Sequence, residues 1–505
     1  MIKWVKLSIG LSLLFLVVAC SKNSGGVEPS KTGDTAGKRE VVAITLMPPS
    51  WDGLKWRDDH PIIEYINKKF DVKLKIMWTD GATYKDKLNV LAASGNLPDS
   101  YRVEPENFVA WQKEGAFLDL EPLLPNYPTL SATYPDETWD LLNPKGNRYG
   151  MPMGTTPIRD SYQIREDWLE NVGIPMPKED SFTVDDFYKI IKAFGTADPN
   201  KSGKKDTLGF SISNDLGNST QLKAAFGLAN GWQLVDGKLI SAYEQPKEMK
   251  DYLGFLHKLY AEDLLDKDFI NKVGLNVYGD FQAGRLGIYT SYSAALRSDS
   301  EKLRSIQPSA KLVQLPPPIG PSGLRGNPTK IIGDNKIVIN GTIDKDKQAR
   351  ILEIYDWWAS DEGTSIMLNG FEDSHYKKNA DGNYEVLPLT ETDLPRLMTN
   401  FFFARGGLNH SAFIYTDPTL IDFDKAYLAN NEKYPYPNAA AGIQALSPAY
   451  QEKWKNLDIK FRETQLKIII GKEPMDSLEA AISEWKTTGG DQITKEINEA
   501  YQTYK

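Results

Sequence analysis

The chain has 505 residues, 41% of them hydrophobic, 25% charged and 11% aromatic, which supplies apolar material for full cores and excludes a mainly disordered protein. Its formal charge of −9 grows more negative once the basic N-terminal segment is set aside, which argues against a nucleic-acid backbone as partner. A single cysteine cannot form an internal disulfide and four scattered histidines give little material for zinc or haem, so stability must come from core size in two or more lobes.

Lys3 and Lys6 precede an apolar run over residues 7–19 that includes Leu13, Leu14, Phe15, Leu16, Val17 and Val18, the pattern of a secretory signal peptide. The run is short for a ~30 Å hydrocarbon core, and no later stretch reaches the length of a membrane-spanning helix. It ends in Val17-Val18-Ala19-Cys20, which resembles the lipobox of bacterial lipoproteins, where the cysteine sulfur takes diacylglycerol. The competing reading is an accidental cysteine. Each buried methylene contributes about 0.8 kcal/mol, so two or three acyl chains on Cys20 would hold the protein on the outer face of the cell membrane. Residues 20–40 hold four glycines and no aromatic residue, which predicts a flexible tether with a reach of roughly 25 Å.

The folded body opens with a β-rich run at 40–46, then a helix over 61–70 that places Ile62, Ile63, Ile66 and Phe70 on one face. Alternation of Val72, Leu74, Ile76 and Trp78 with polar neighbours predicts a second strand and completes a βαβ unit. A helix over 84–93 and a short strand over 100–103 add a third unit, so the fold class is α/β with an open, largely parallel sheet. Such sheets bind ligands beyond the carboxyl ends of their strands, which makes the loop over 48–57, with Trp51, Asp52, Trp56, Arg57 and Asp58, and the Asp99 turn candidates by position.

A Pro-rich crossover, YGMPMGTTPIRD, precedes a helix that starts at Thr183-Val-Asp-Asp and carries apolar Phe187, Ile190, Ile191 and Phe194. In the stretch Asp198-Pro-Asn200-Lys-Ser202-Gly203-Lys204-Lys-Asp206, oxygen ligands at positions 1, 3, 5, 7 and 9 with glycine at 6 copy the start of an EF-hand loop. Position 12 is Gly209 instead of a bidentate glutamate, so the alternative is a solvated turn. A second breaker-rich stretch at 316–329 precedes strand-like Ile337 to Ile339 and an apolar helix over 349–368, which would return the chain to the first lobe.

The lipobox, the tether, NVLAASGNLPDS after a βαβ unit, YGMPMG, SYQIREDWLENVGIPMPKEDSFTVDDFYKIIKAF, FQAGRLGIYTSYSAAL and the terminal GGDQITKEINEAYQTYK together resemble the extracellular solute-binding lipoproteins of carbohydrate ABC importers, in their large Gram-positive subgroup. The resemblance implies a two-lobed, periplasmic-binding-protein-like fold with multiple hinge crossovers. It divides the chain into a signal peptide at 1–19, a lipidated tether at 20–40, a first lobe at 41–156 plus about 330–375, and a second at 157–329 plus about 376–505. Closure on a carbohydrate, followed by delivery to the permease subunits, would be the work of a monomer that needs no cofactor beyond a structural calcium in the Asp198 loop, where some relatives bind that ion.

A sugar presents apolar C–H faces and a rim of hydroxyls, so its site needs aromatic platforms and polar groups that satisfy each hydroxyl. The expected ligand contacts are Trp51 and Asp52, Asp99, Arg159, Trp232, Tyr289, Tyr292 and Arg405. The resemblance places Asp99 at the cleft, Trp232 on the cleft face of the second lobe, and Tyr289 and Tyr292 where relatives present an aromatic platform. Against these stand plainer readings: Asp99 as a turn cap, Trp232 as packing over its Asp236-Gly237 hairpin, and Trp357 with Trp358 as core. A secreted glycoside hydrolase also lines a cleft with aromatic residues and needs only two carboxylates, and a peptide-binding or sensory receptor could use the same fold. No Gly-x-Ser-x-Gly, His-Glu-x-x-His, Walker A or Gly-x-Gly-x-x-Gly motif is present, which favours binding over catalysis.

Overall fold

The computed structural model describes residues 39–50, 53–143, 147–153, 158–329, 335–378, 380, 384–401 and 418–504. Eight of the strands among them build two sheets: β1 (Val42–Met47), β2 (Val72–Ile76), β3 (Ser100–Val103), β4 (Gly150–Pro152), β5 (Ser161–Arg165), β6 (Ile288–Ser291), β7 (Leu312–Leu315) and β8 (Lys336–Ile339). The first sheet has the order β2-β1-β3-β8-β4. Val42 to Leu46 pair in parallel with Val72 to Ile76, and Leu46 and Met47 pair in parallel with Ser100 and Tyr101. Strand β8 then runs antiparallel to both β3 and β4. The second sheet, β6-β5-β7, is antiparallel throughout, unlike the parallel arrangement that alternating strands and helices suggest.

Local sequence explains the elements that frame the first sheet. The helix Pro61–Phe70 starts with proline at its first position, where no amide partner is lost, and buries Ile62, Ile63, Ile66 and Phe70 against the sheet. The apolar stretch after β8 forms two helices, Lys345–Ala359 and Asp361–Asn369, where one over 349–368 is expected. Ser360 stands between them and its side chain accepts from the amide of Gly363, which caps the second helix and makes the break stable. A Cβ on Gly363 would lie 2.0 Å from the Trp357 carbonyl oxygen, so the sharp corner admits only glycine.

The first core gathers Ile44, Leu46, Leu74, Trp139, Ile337, Ile339, Tyr355, Trp357 and Trp358, in keeping with the core reading of the tryptophan pair. Leu397, Met398 and Phe401 pack in the same core, so the chain stays with the first sheet beyond residue 376, where the sequence has it leave. The second core surrounds β5 and β6 with Trp168, Phe187, Phe194, Phe210, Trp232 and Tyr252, and includes Phe461, Ile469, Trp485 and Ile497 from the C-terminal helices. The helix Val184–Thr196 begins with the expected capping box, in which Thr183 and Asp186 satisfy each other's backbone amides. The two halves touch where the helix Pro105–Lys113 meets the turn Gln444–Leu446, with Ala445 packed in the cluster that holds Phe108 and Val109.

A buried polar knot fastens residues 371–394 to the first sheet. His60 caps the helix Pro61–Phe70 by accepting from the Ile62 amide at Nδ1 (3.2 Å), so its Nε2 carries the proton and lies 3.1 Å from the Asp393 carbonyl oxygen. Trp56 lies flat on the imidazole at 4.3 Å, and the Asp393 carboxylate receives both Arg57 and His375. Burial, only partly offset by Asp393, lowers the pKa of His60 to about 4. The unfolded chain binds this proton more readily than the folded one between that value and about 6.5, so stability present above the upper limit is lost as pH falls towards the lower. Urea titrations of the wild type are expected to lose on the order of 2 kcal/mol through this window in excess of His60→Asn, whose amide can still cap the helix. Parallel pH profiles for the two proteins would contradict the assignment.

Candidate functional site

In the second lobe a cavity of about 240 Å³ opens between the segment 228–231, the turn at Ala242 and Tyr243, and the long helix Pro448–Ile469. Trp454, Asp458, Arg462 and Gln465 reach it from that helix at spacings of four, four and three residues, which puts them on one helical face. Trp454 stacks on Tyr243 with ring centroids 5.5 Å apart and on Tyr450 at 4.9 Å. The cavity thus has an aromatic wall with largely half-buried polar groups beside it, in the size range of a single small ring.

Its charges are individually placed. Asp458 accepts the Tyr243 hydroxyl and pairs with Arg462 at 3.0 Å. Burial and the neighbouring Asp458 carboxylate push the Tyr243 hydroxyl well above its ordinary pKa, so it remains a donor. Burial works against ionisation of Asp215, yet the Ser213 hydroxyl, the Gly217 amide and Arg462 hold its carboxyl below the usual range. Lys223 enters the cavity from the helix Thr220–Ala225, and burial lowers its pKa.

Among the expected contacts, Arg159, Tyr289 and Tyr292 gather at one end of the second sheet. Ser161 pairs with Ser291, which brings the residues before β5 beside those after β6. The Arg159 guanidinium lies 4.5 Å from the Tyr292 ring centroid and pairs with Asp160 at 2.7 Å. Tyr289 is half-buried on Tyr278 and Phe281, at 5.3 and 5.4 Å, and burial with nearby Asp160, Asp299 and Asp215 raises its pKa to about 12. Asp215 therefore acts electrostatically on both Tyr289 and the cavity lysine.

Two expectations are corrected. Asp99 is only 7% exposed, and its carboxylate accepts the Thr45 amide at 2.7 Å and Lys347 at 3.2 Å, so it fastens β1 and the helix Lys345–Ala359 at the amino end of β3. Both oxygens are committed away from the carboxyl ends of the strands, where a ligand would lie. Trp232 is 1% exposed and packs in the second core beside Trp454, so it has no face to offer a sugar. The segment around it does line the cavity, through Asn230 and Gly231. Gly231 at φ 83° turns the chain, and the next side chain enters the core. Trp56 and Arg57 are likewise engaged in the knot with His60 and Asp393, while Trp51, Asp52, Arg405 and Cys20 lie outside the described residues.

Sequence reasoning missed Tyr243, Lys223, Asp458, Arg462 and Trp454. The signal available was the i, i+4, i+8 stripe of tryptophan, aspartate and arginine on a helix whose other face is apolar.

The Asp198 loop has part of a cation site. Asp198 accepts the Ser202 and Gly203 amides at 3.0 and 2.9 Å, and Asp206 accepts from Asn200 and Ser202, both at 3.0 Å. Gly203 adopts φ 74°, the turn that an EF-hand loop needs at its sixth position. A Cβ on Gly209 would lie 2.5 Å from the Ile191 Cα, so packing forbids any side-chain ligand at the twelfth position. Among the described residues no group of three or more His, Cys, Asp or Glu side chains could hold a metal.

The corrected role of Trp232 has a measurable consequence. Trp232→Ala is expected to destabilise the fold by about 3–5 kcal/mol in denaturant titrations, as loss of a buried aromatic ring does. A change below about 1 kcal/mol would return the residue to the ligand-contact reading.

Comparison with known proteins matches this architecture. Residues 57–365 match the family of bacterial extracellular solute-binding proteins. The chain is 27% identical to Lipoprotein LipO of Bacillus subtilis strain 168, over 100% of this chain and 99% of that protein. It is 26% identical to the polygalacturonan/rhamnogalacturonan-binding protein YtcQ of the same organism, again over 100% and 99%. Among solved structures, the alginate-binding protein AlgQ2 without calcium ion matches with a TM-score of 0.70 at 19% identity, over 92% of this chain and 99% of that one. The Streptococcus pneumoniae substrate-binding protein FusA in complex with kestose matches at 0.67 and 20% identity, over 92% and 100%. With a family match over residues 57–365 and these likenesses over nearly the whole body, the chain belongs to the bacterial extracellular solute-binding proteins and has their two-lobed α/β fold.

Proposed function

We propose that this chain is the substrate-binding lipoprotein of an ABC importer, which captures an oligosaccharide between its lobes and hands it unchanged to a membrane permease. The observation that carries this reading is the cavity of the second lobe, where the stacked Trp454 and Tyr243 stand beside Asp215, Asp458, Arg462 and Asn230 and over which the first lobe would close. Apolar sugar C–H groups would meet the rims of the stacked rings, and hydroxyls would exchange hydrogen bonds with polar groups already held in place. The names of YtcQ, a polygalacturonan/rhamnogalacturonan-binding protein, and FusA, a fructooligosaccharide ABC transporter substrate-binding protein, support a carbohydrate as ligand.

Arg159, Tyr289 and Tyr292 extend the site along the end of the second sheet. The first lobe takes residues 41–156 and about 330–401, and the second takes 157–329 and the C-terminal helices, in line with the two cores. Cys20 carries the lipid that anchors a monomer at the extracellular face of the membrane, a reading that the name of LipO supports. Calcium, held by Asp198, Asn200, Ser202, Asp206 and the Lys204 carbonyl, would brace the loop without entering the ligand site; a FusA EF-hand mutant among the similar structures supports this assignment.

Binding without turnover is the reading that the carboxyl groups favour. A glycosidase needs an acid whose pKa is raised within reach of the sugar. Asp215 is held down, and Asp299, which burial pushes up, is fully buried against Tyr278 and Gln282. Calorimetric titration with an oligosaccharide panel is expected to give a ligand that raises the melting temperature and is recovered with unchanged mass. Trp454→Ala should weaken its binding by about tenfold or more. Shortened products, or stabilisation by peptides alone, would contradict the proposal.

A further inference from the structure

Among the cavity charges, Lys223 stands apart. Asp458 is held by Arg462 and Tyr243, and Asp215 by Ser213 and Gly217, so each acid already has its own donors. Among the described residues the Lys223 ammonium makes no hydrogen bond and no ion pair; its nearest recorded partner is the Tyr252 ring, 6.0 Å away at the centroid. Burial disfavours its charge, the fields of Asp458 and Asp215 offset this only in part without direct contact, and Arg462 adds a smaller opposing effect. A cation in a cavity wall whose neighbouring acids are engaged elsewhere gains a direct partner from an entering anion.

We propose that the cavity takes an acidic sugar, with the ligand carboxylate seated on Lys223 and the sugar ring against Trp454. This rests on the carbohydrate reading of the same site and specifies its substrate class as uronate-containing oligosaccharides. The acids of the cavity do not repel such a ligand fully, because both are tied to donors of their own. Lys223 is then the residue that sets specificity, while Tyr243 and Trp454 bind acidic and neutral rings alike.

The test uses the full chain and trimers of galacturonate, glucuronate, mannuronate and guluronate, each compared with its own methyl ester, which has the same shape and no charge. At least one acid is expected to bind about tenfold or more tightly than its ester, a preference that weakens in high salt. Lys223→Met should lower the affinity for the acid far more than that for the ester and so bring the two to one level, and Lys223→Arg should restore the preference. Equal affinity for acid and ester, binding of neutral oligosaccharides only, or equal weakening of both by Lys223→Met would overturn this inference and leave the carbohydrate reading standing. Binding of peptides but of no sugar in either panel would overturn both. If Lys223→Met fails to fold, the acid-to-ester ratio of the wild type and its salt dependence decide the matter.

Discussion

The architecture depends on one strand. Lys336–Ile339 inserts antiparallel between β3 and β4, so the first sheet is completed by residues more than a hundred positions beyond its other members. Ile337, Val338 and Ile339 are fully buried there, and Ser100 donates to the Val338 carbonyl while it meets the Tyr355 hydroxyl at 2.8 Å. The intervening chain must leave this sheet, build the second lobe and return. Crossovers between lobes are therefore a consequence of how the first sheet is closed, and the proposed hinge motion would turn on them.

Around that frame, buried charges are used as fasteners, with one proposed to be set aside for a ligand. Arg165 is held by Asp167 at 2.6 Å and lies over Trp168, Arg350 donates to the Phe70 carbonyl, and Asp393 joins Arg57 to His375. Breaking the Arg165–Asp167 pair would be costly because the surviving partner would remain buried without a counter-charge. Lys223 differs, since among the described residues its ammonium has no hydrogen bond or ion pair and it lines the cavity proposed to take the ligand. Stability and specificity thus draw on the same electrostatic rule, applied with and without an internal partner.

Much of the fold was legible because it follows local periodicity. Alternation along Val72 to Ile76, the apolar face of Ile62, Ile63, Ile66 and Phe70, and the Thr183 capping box need only neighbours in the chain. The antiparallel second sheet was not legible, because pairing direction is set by connections across more than a hundred residues. The site was read partly for the same reason. Trp232 was singled out, but the cavity is lined by its neighbours Leu228, Ala229, Asn230 and Gly231, since the turn at Gly231 hands the next residue to the core. Asp99 drew notice by its place in a loop, whereas its amide and lysine partners come from other elements. His60, His375 and Asp393 are distant in sequence, and only the packing of the first lobe joins them.

The central claim is that two lobes close on an oligosaccharide and that this closed state is the transport signal. Small-angle X-ray scattering of the full chain, before and after saturation with a bound sugar, tests it most directly. The account predicts a smaller radius of gyration in the saturated protein, reversed when the sugar is removed. An unchanged scattering profile at full occupancy would contradict it.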